Sequence, residues 1–397
     1  MAAALTRRQQ TVLVLGLMAT GIGQSLVFAI LAPLGREVHM GELQITSIIA
    51  ISALVFGLSS PHWGRFSDRV GRKPVIITGL VGYSLGTLLF TSMFYAGLAG
   101  LVSGGLLYLL VLSSRVGQAA VMSASNPAST AYAADHSSAD QRTKIMARLG
   151  TANSMGTILG PAVSGALATF GLLAPLYFAA GLAGVAALVV WRALPLTPPR
   201  QRGVHQPAAR LRYSDPRIVL YLVTAVGLFV GFSSIQQTLG FQLQDKMGLS
   251  GIETAQRTGA ALLVSACFTL LVQLTVMQRL QLRPTQFIRL GLLCLLGGAA
   301  TISRFETFTV LAAGMGMLGA GMAMCMPAIS AGASLAVEPG EQGAAAGLVS
   351  SCPAIGFSVG PLVAGALYQV DGALAPLFSA VVFFAVLIIL TLGDPER

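Results

Sequence analysis

Read along the chain, apolar residues fall into runs of about twenty separated by short polar intervals, with no period-two alternation. A run of that length matches the hydrocarbon thickness of a bilayer when wound as an α-helix. The pattern predicts twelve spans, at about 11–34, 45–63, 74–95, 101–126, 143–169, 173–194, 216–242, 255–277, 285–303, 306–333, 343–369 and 373–392. The fold class expected is an all-α polytopic membrane protein. A transmembrane barrel would show alternating segments of about ten residues instead.

The longest polar interval, rich in Pro, Arg and Gln, divides the spans six and six. The expected organisation is therefore a six-helix bundle over 1–194, a cytoplasmic linker over 195–215 and a second six-helix bundle over 216–397. A repeat supports the division: a shift of 200 residues places Pro127 on Pro327, Gly156 on Gly356, Gly160 on Gly360, Pro161 on Pro361 and Gly165 on Gly365.

Composition agrees with a membrane protein: 54% of the 397 residues are hydrophobic, 10% are charged, and mean hydropathy is +0.77. The net charge of +10 suggests a nucleic-acid partner at first sight. Most Lys and Arg, however, fall in the intervals on one side of the predicted spans, which is the positive-inside bias and needs no polyanion. That bias places both termini in the cytoplasm. Thr6-Arg7-Arg8 before an apolar run imitates a secretory leader, but the run to Pro33 is long enough to span and shows no convincing cleavage site.

The polar stretch Gly64-Arg-Phe-Ser-Asp68-Arg69-Val-Gly71-Arg72-Lys73-Pro74 lies between the second and third spans and is expected as a turn in water. Its pattern, Gly-x-x-x-Asp-Arg-x-Gly-Arg-Lys, resembles the loop signature of the major facilitator superfamily of secondary transporters. Gly156-x-x-x-Gly160-Pro161 in the fifth span, repeated in the eleventh, resembles the Gly-Pro motif of that superfamily's drug/proton antiporters. Arg115-x-x-Gln118 resembles its fourth-span motif. The resemblance covers essentially the whole chain. It implies two pseudo-symmetric bundles with substrate held between them near mid-membrane, alternating access, and export of drug-like or amphipathic molecules by proton antiport across a bacterial inner membrane.

Roles follow from that resemblance and from the residues themselves. The expected cytoplasmic gate is Gly64, Asp68, Arg69, Gly71, Arg72, Lys73, Asp135 and Arg142, with Arg69 or Arg72 pairing Asp135. Gly156, Gly160, Pro161, Gly165, Gly356, Gly360, Pro361 and Gly365 are expected helix pivots; glycines four apart let helices approach closely and proline bends a helix. Arg115 stands deep in a span, where a charge is costly and needs a partner or a ligand. It heads a substrate or proton pathway with Gln118, Gln24, Asn153, Gln236 and Gln237; Ser154 and Gln273 are further polar groups expected to face inward. Ordinary close packing and interhelical hydrogen bonding are the competing readings of the glycines and amides.

None of the fourteen acids lies at a predicted membrane centre. Glu37 and Asp245, at corresponding helix ends of the two halves, are the remaining candidate proton carriers. The alternative function is a dedicated exporter or importer of an anionic metabolite or siderophore, with Arg115 on the substrate carboxylate; a transport-incompetent sensor is a remoter one. Cys267, Cys294, Cys325 and Cys352 have no metal spacing, and the histidines are scattered, so no metal, cofactor or enzyme is expected. Gly82-Tyr83-Ser84-Leu85-Gly86 and Gly314–Gly319 fit nucleophile-elbow and dinucleotide expressions but lie within apolar runs. The partners expected are a small-molecule substrate, protons and lipid, with the chain a monomer.

Overall fold

The computed structural model describes residues 6–137, 139–196, 211–338 and 340–393, without the side chains of 139–144 and 147. Its helices are α1 (Arg7–Glu37), α2 (Glu42–Val70), α3 (Arg72–Leu98), α4 (Gly104–Met122), α5 (Ser125–Asp135), α6 (Ala139–Leu167), α7 (Ala174–Ala193), α8 (Val219–Met247), α9 (Gly251–Leu274), α10 (Val276–Arg279), α11 (Pro284–Ser303), α12 (Phe308–Leu335), α13 (Gln342–Val370) and α14 (Leu374–Leu392). Eleven spans among the described residues are long and apolar enough to cross a bilayer, with α4 and α5 counted together and likewise α9 and α10. The remaining expected span lies in α6, a 29-residue helix whose first half is polar.

The helices run several residues past the apolar stretches at many ends, because the polar flanks keep their backbone bonds satisfied by continuing the helix into the interface. Thr6 starts α1 with a capping box in which its hydroxyl accepts from the Gln9 amide and Gln9 reaches back to the Thr6 N–H. Prolines lie inside α1, α2, α6, α12 and α13 without ending them. Neighbouring helices in a bundle can hold such bends.

The fourth span does break. Pro127 carries no N–H and its ring crowds the carbonyl four residues earlier, at Ser123. The backbone there tightens to Ala124 N–H donating to Val121 O, and α4 gives way to α5. The freed Ala120 carbonyl accepts from the Trp63 indole at 2.7 Å and from Ser123 Oγ at 2.9 Å. Pro327, the repeat mate of Pro127, sits inside an unbroken α12.

The chain divides into two compact units, Met1–Arg202 with Leu249–Ala260, and Gly203–Gly248 with Ala261–Arg397. In the first, α1 packs along α6 and α7, α3 lies against α4 and α7, and α2 lies against α4. A buried core of Val12, Leu13, Leu17, Val75, Ile76, Leu80, Tyr132 and Val190 ties these helices together. In the second, α8 packs on α13 and α14, and α11 on α12 and α14.

Candidate functional site

The polar stretch expected as a turn in water is mostly helix. α2 runs to Val70, Gly71 alone makes the turn, and α3 begins at Arg72. Gly71 has φ 97°, a left-handed conformation that disfavours a side chain and explains the glycine. Arg72 and Lys73 are buried, at 7% and 8% exposure, rather than solvated. For Arg72 the reason is saturation of the guanidinium: it meets Asp68 at 2.5 Å, Asp135 at 3.0 Å through Nε, and donates to Ser67 Oγ at 2.6 Å. Of the two cations proposed for Asp135, Arg72 makes the bond, and Arg69 is exposed. Gly64 supplies its carbonyl to Ser67 and Arg72 and lies against Pro127 of α5. The Arg142 side chain lies outside the described residues.

Arg115 and Gln118 project from one face of α4, both buried. Arg115 Nη1 donates to Gln118 Oε1 at 2.5 Å, and Gln118 Nε2 donates to Thr87 Oγ1 at 2.5 Å and to the Tyr83 carbonyl at 3.4 Å. The guanidinium carbon stands 5.5 Å from the centre of the Phe90 ring, a cation–π contact. Thr87, Tyr83 and Phe90 are partners that sequence reasoning missed. Their signal lay in the Gly82–Gly86 pattern read together with Gly79: a Cβ on Gly79 would meet Ser125, one on Gly82 would meet Val121, and one on Gly86 would meet Gln118. That stripe seats α3 on α4 and α5 and so delivers Thr87 to Gln118.

The expected pivots are close contacts inside each unit. A Cβ on Gly156 would lie 2.9 Å from Ile22 N, and one on Gly160 would lie 2.5 Å from Ile22 O. In the second unit a Cβ on Gly356 would lie 2.9 Å from Val230 N, and one on Gly360 would lie 2.5 Å from Val230 O. Ser25 and Ser233 bridge these pairs, donating to the Gly156 and Gly356 carbonyls at 3.5 and 3.0 Å. Ile22 to Val230 and Ser25 to Ser233 are steps of 208 residues, whereas the glycines repeat at 200 (230 − 22 and 233 − 25, against 356 − 156). The same offset of 208 carries Glu37 onto Asp245 (245 − 37). Pro161, Pro361 and Gly365 are buried in the same helices, and Gly165 meets Gln256.

Gln24 and Asn153 are half-buried, and Asn153 Oδ1 has no hydrogen-bond partner. Gln236 is half-buried and Gln237 buried on α8, each with one unpaired amide atom. Ser154 and Gln273 are exposed instead of inward-facing; Gln273 stands at the end of α9, within reach of the interface. Glu37 and Asp245 are exposed, and Asp245 accepts from Tyr368 Oη at 2.7 Å. Both sit in the last turn of their helices, as the sequence implied, and not at a helix centre.

A second charged cluster was not foreseen. Arg217, just before α8, bonds Asp215 at 2.9 Å and Glu341, the residue preceding α13, at 2.7 Å. Its hydrogen bonds hold the Asp215 and Glu341 carboxyls below their usual range and raise its own pKa. The repeat mate of Asp135 is Leu335, which is exposed, so the second unit fastens its helix starts with this cluster instead.

The Major Facilitator Superfamily model matches residues 13–305. The chain belongs to the major facilitator superfamily. Among relatives, it is 26% identical to "Multidrug resistance protein 2" of Bacillus subtilis (strain 168), over 88% of this chain and 86% of that one. It is 25% identical to "Multidrug resistance protein 1" of the same organism, over 96% of this chain and 95% of that one. Its fold matches the crystal structure of a bacterial homologue of the human lysosomal transporter Spinster, with a TM-score of 0.78 at 14% identity, over 98% of this chain and 96% of that one. These are membrane transporters and not enzymes, and this superfamily member is a multi-pass membrane transporter for a small-molecule substrate.

Proposed function

We propose that this chain exports drug-like or amphipathic organic molecules in exchange for protons, working as a monomer by alternating access in the inner membrane of a bacterium, with both termini cytoplasmic. The observation that carries the reading is the Gly-x-x-x-Gly-Pro motif, which occupies the same tight contact on α6 and on α13 and resembles the signature of drug antiporters. The names of the two Bacillus subtilis relatives point the same way. In this account 1–194 and 216–397 are the two working halves joined through 195–215. Arg72, Asp68 and Asp135 latch the cytoplasmic side. Arg115 and Gln118 line the pathway with Gln24, Asn153, Gln236 and Gln237, and Glu37 and Asp245 are the proton carriers.

The test is dye retention in bacterial cells lacking their own efflux pumps. Cells producing the chain should hold less ethidium than control cells, and a protonophore should erase the difference. Equal retention for every dye tried, with the protein present in the membrane, would contradict export. A difference that survives the protonophore would contradict proton coupling.

A further inference from the structure

The turn between α9 and α11 is the second unit's counterpart of the α2–α3 turn, and it keeps one part of that turn's chemistry while losing another. A shift of 210 residues carries Arg69 onto Arg279, Lys73 onto Arg283 and Pro74 onto Pro284 (279 − 69, 283 − 73, 284 − 74). The same shift puts Gln278 where Asp68 stands and Leu282 where Arg72 stands, and Leu335 replaces Asp135 at the end of α12. None of the three members of the network that buries Arg72 is kept, yet the flanking cations are. No Asp or Glu occurs from 254 to 305, a stretch that holds Arg257, Arg279, Arg283, Arg289 and Arg304.

The backbone of this turn is fixed at both ends. α9 gives way at Thr275, whose hydroxyl donates to Leu271 O at 2.6 Å, and the short α10 that follows has no buried residue. Pro284 opens α11, and the Arg283 N–H ahead of it donates to Gln286 Oε1 at 3.0 Å. Arg279 and Arg283 are exposed. So are two leucines, Leu274 at 64% and Leu280 at 45%. They stand at the end of the apolar span Gly251–Arg279, where hydrocarbon gives way to lipid headgroups. An arginine at that depth lays its methylenes along the acyl chains and places its guanidinium among the phosphates.

We propose that the α9–α11 turn is a docking surface for anionic phospholipid, with Arg279 and Arg283 donating to the headgroup phosphate and Leu274 and Leu280 lying against the acyl chains. A guanidinium matches phosphate oxygens with two parallel N–H donors. Net negative charge on the lipid matters, because a zwitterionic headgroup adds a cation that a turn rich in arginine and without acids repels. The α2–α3 turn is the internal contrast: there Asp68 and Asp135 answer Arg72 inside the protein. This contact concerns how the second unit is held at the membrane surface, and it stands apart from cargo and from proton coupling.

The test is lipid retention by the full chain purified in a neutral detergent, read by native mass spectrometry, with phosphatidylglycerol and phosphatidylcholine of identical acyl chains as probes. Phosphatidylglycerol is expected to be retained at least about fivefold better than phosphatidylcholine. Arg279→Gln and Arg283→Gln are each expected to lower phosphatidylglycerol retention about fivefold, and the double variant more than about tenfold, with phosphatidylcholine unchanged. Arg192→Gln removes the same charge at an exposed position of α7 with no second arginine within four residues, and is expected to change retention less than about twofold. Because Arg279 belongs to a helix without buried residues, Arg279→Gln is expected to melt like wild type in lipid-free detergent. Equal retention of the two lipids by wild type, or equal retention of phosphatidylglycerol by wild type and Arg279→Gln, overturns the proposal. So does an equal loss in Arg192→Gln and Arg279→Gln, which would make net charge alone responsible. Inorganic phosphate that displaces phosphatidylglycerol at equal concentration identifies a simple phosphate site and overturns the assignment to lipid.

Discussion

Arg72 Nε lies 3.0 Å from Asp135 Oδ2, which joins the first turn of α3 to the last residue of α5 across 63 residues of chain. The same guanidinium holds Asp68, so one buried cation fastens α2, α3 and α5. Removing one partner strands the other. Arg72→Ala and Asp135→Asn are each expected to destabilise the protein in detergent, and a double-mutant cycle should show a coupling of about 1–3 kcal/mol. Additive effects would mean that the pair contributes nothing to holding these helices.

The indole of Trp63 answers the break in the fourth span. It takes up the Ala120 carbonyl, which the Ala124 N–H has left for Val121 where the helix tightens. Trp63→Phe keeps the ring but not the donor, and is expected to lower stability by about 1 kcal/mol, since Ser123 Oγ still serves the same carbonyl. Trp191→Phe, at an exposed position, is the comparison and should melt within about 0.5 kcal/mol of wild type.

The glycine contacts give a symmetric prediction. A methyl group on Gly156 or Gly356 would strike the backbone of Ile22 or Val230, and overpacking of this kind costs about 1–3 kcal/mol. Gly156→Ala and Gly356→Ala should therefore lower the melting temperature alike. Gly347→Ala, where a Cβ has no neighbour within 4 Å, should leave it unchanged or raise it slightly. Losses at Gly156 and Gly347 of equal size would refute the close-contact account.

Most of the fold was legible because the bilayer imposes a length on every apolar run, and because prolines and glycines repeat between halves. The details that escaped are those where polar residues satisfy one another across the chain. Gly64 to Pro74 reads as a solvated turn until Asp68 and Asp135 are seen to neutralise Arg72; α2 then continues to Val70 and Gly71 alone turns the chain. Arg115 and Gln118 were visible from their cost in a membrane. Thr87, Tyr83 and Phe90, which surround them, share one face of α3 at spacings of four and three, but that spacing does not name the helix they face. Glu37 and Asp245 already marked α8 as the counterpart of α1, but its offset of 208 differs from the 200 of the glycine motifs, so no single shift of the sequence shows both.

Arg217 predicts a pH dependence in the second unit. Asp215 and Glu341 have lowered pKa values through their hydrogen bonds to it, so the cluster stabilises the fold above the ordinary carboxylate range of about 4 and loses that contribution as pH falls through the depressed values. The melting-temperature gap between wild type and Arg217→Ala should be open at neutral pH and close on acidification below about pH 4. High salt should narrow it as well, because Arg217 is exposed and neither carboxylate is fully buried. A gap that widens in acid would reverse the sign.

Proton-coupled exchange of organic cargo is tested most directly by following luminal pH in proteoliposomes with an acid interior, on adding permanently charged amphipathic cations and sulfonate anions that carry no proton themselves. The account predicts that at least one such molecule makes the lumen alkaline faster than in protein-free vesicles, as protons leave in exchange for cargo. Luminal pH that follows the protein-free vesicles for every cargo, including those shown to bind the purified chain, would contradict it.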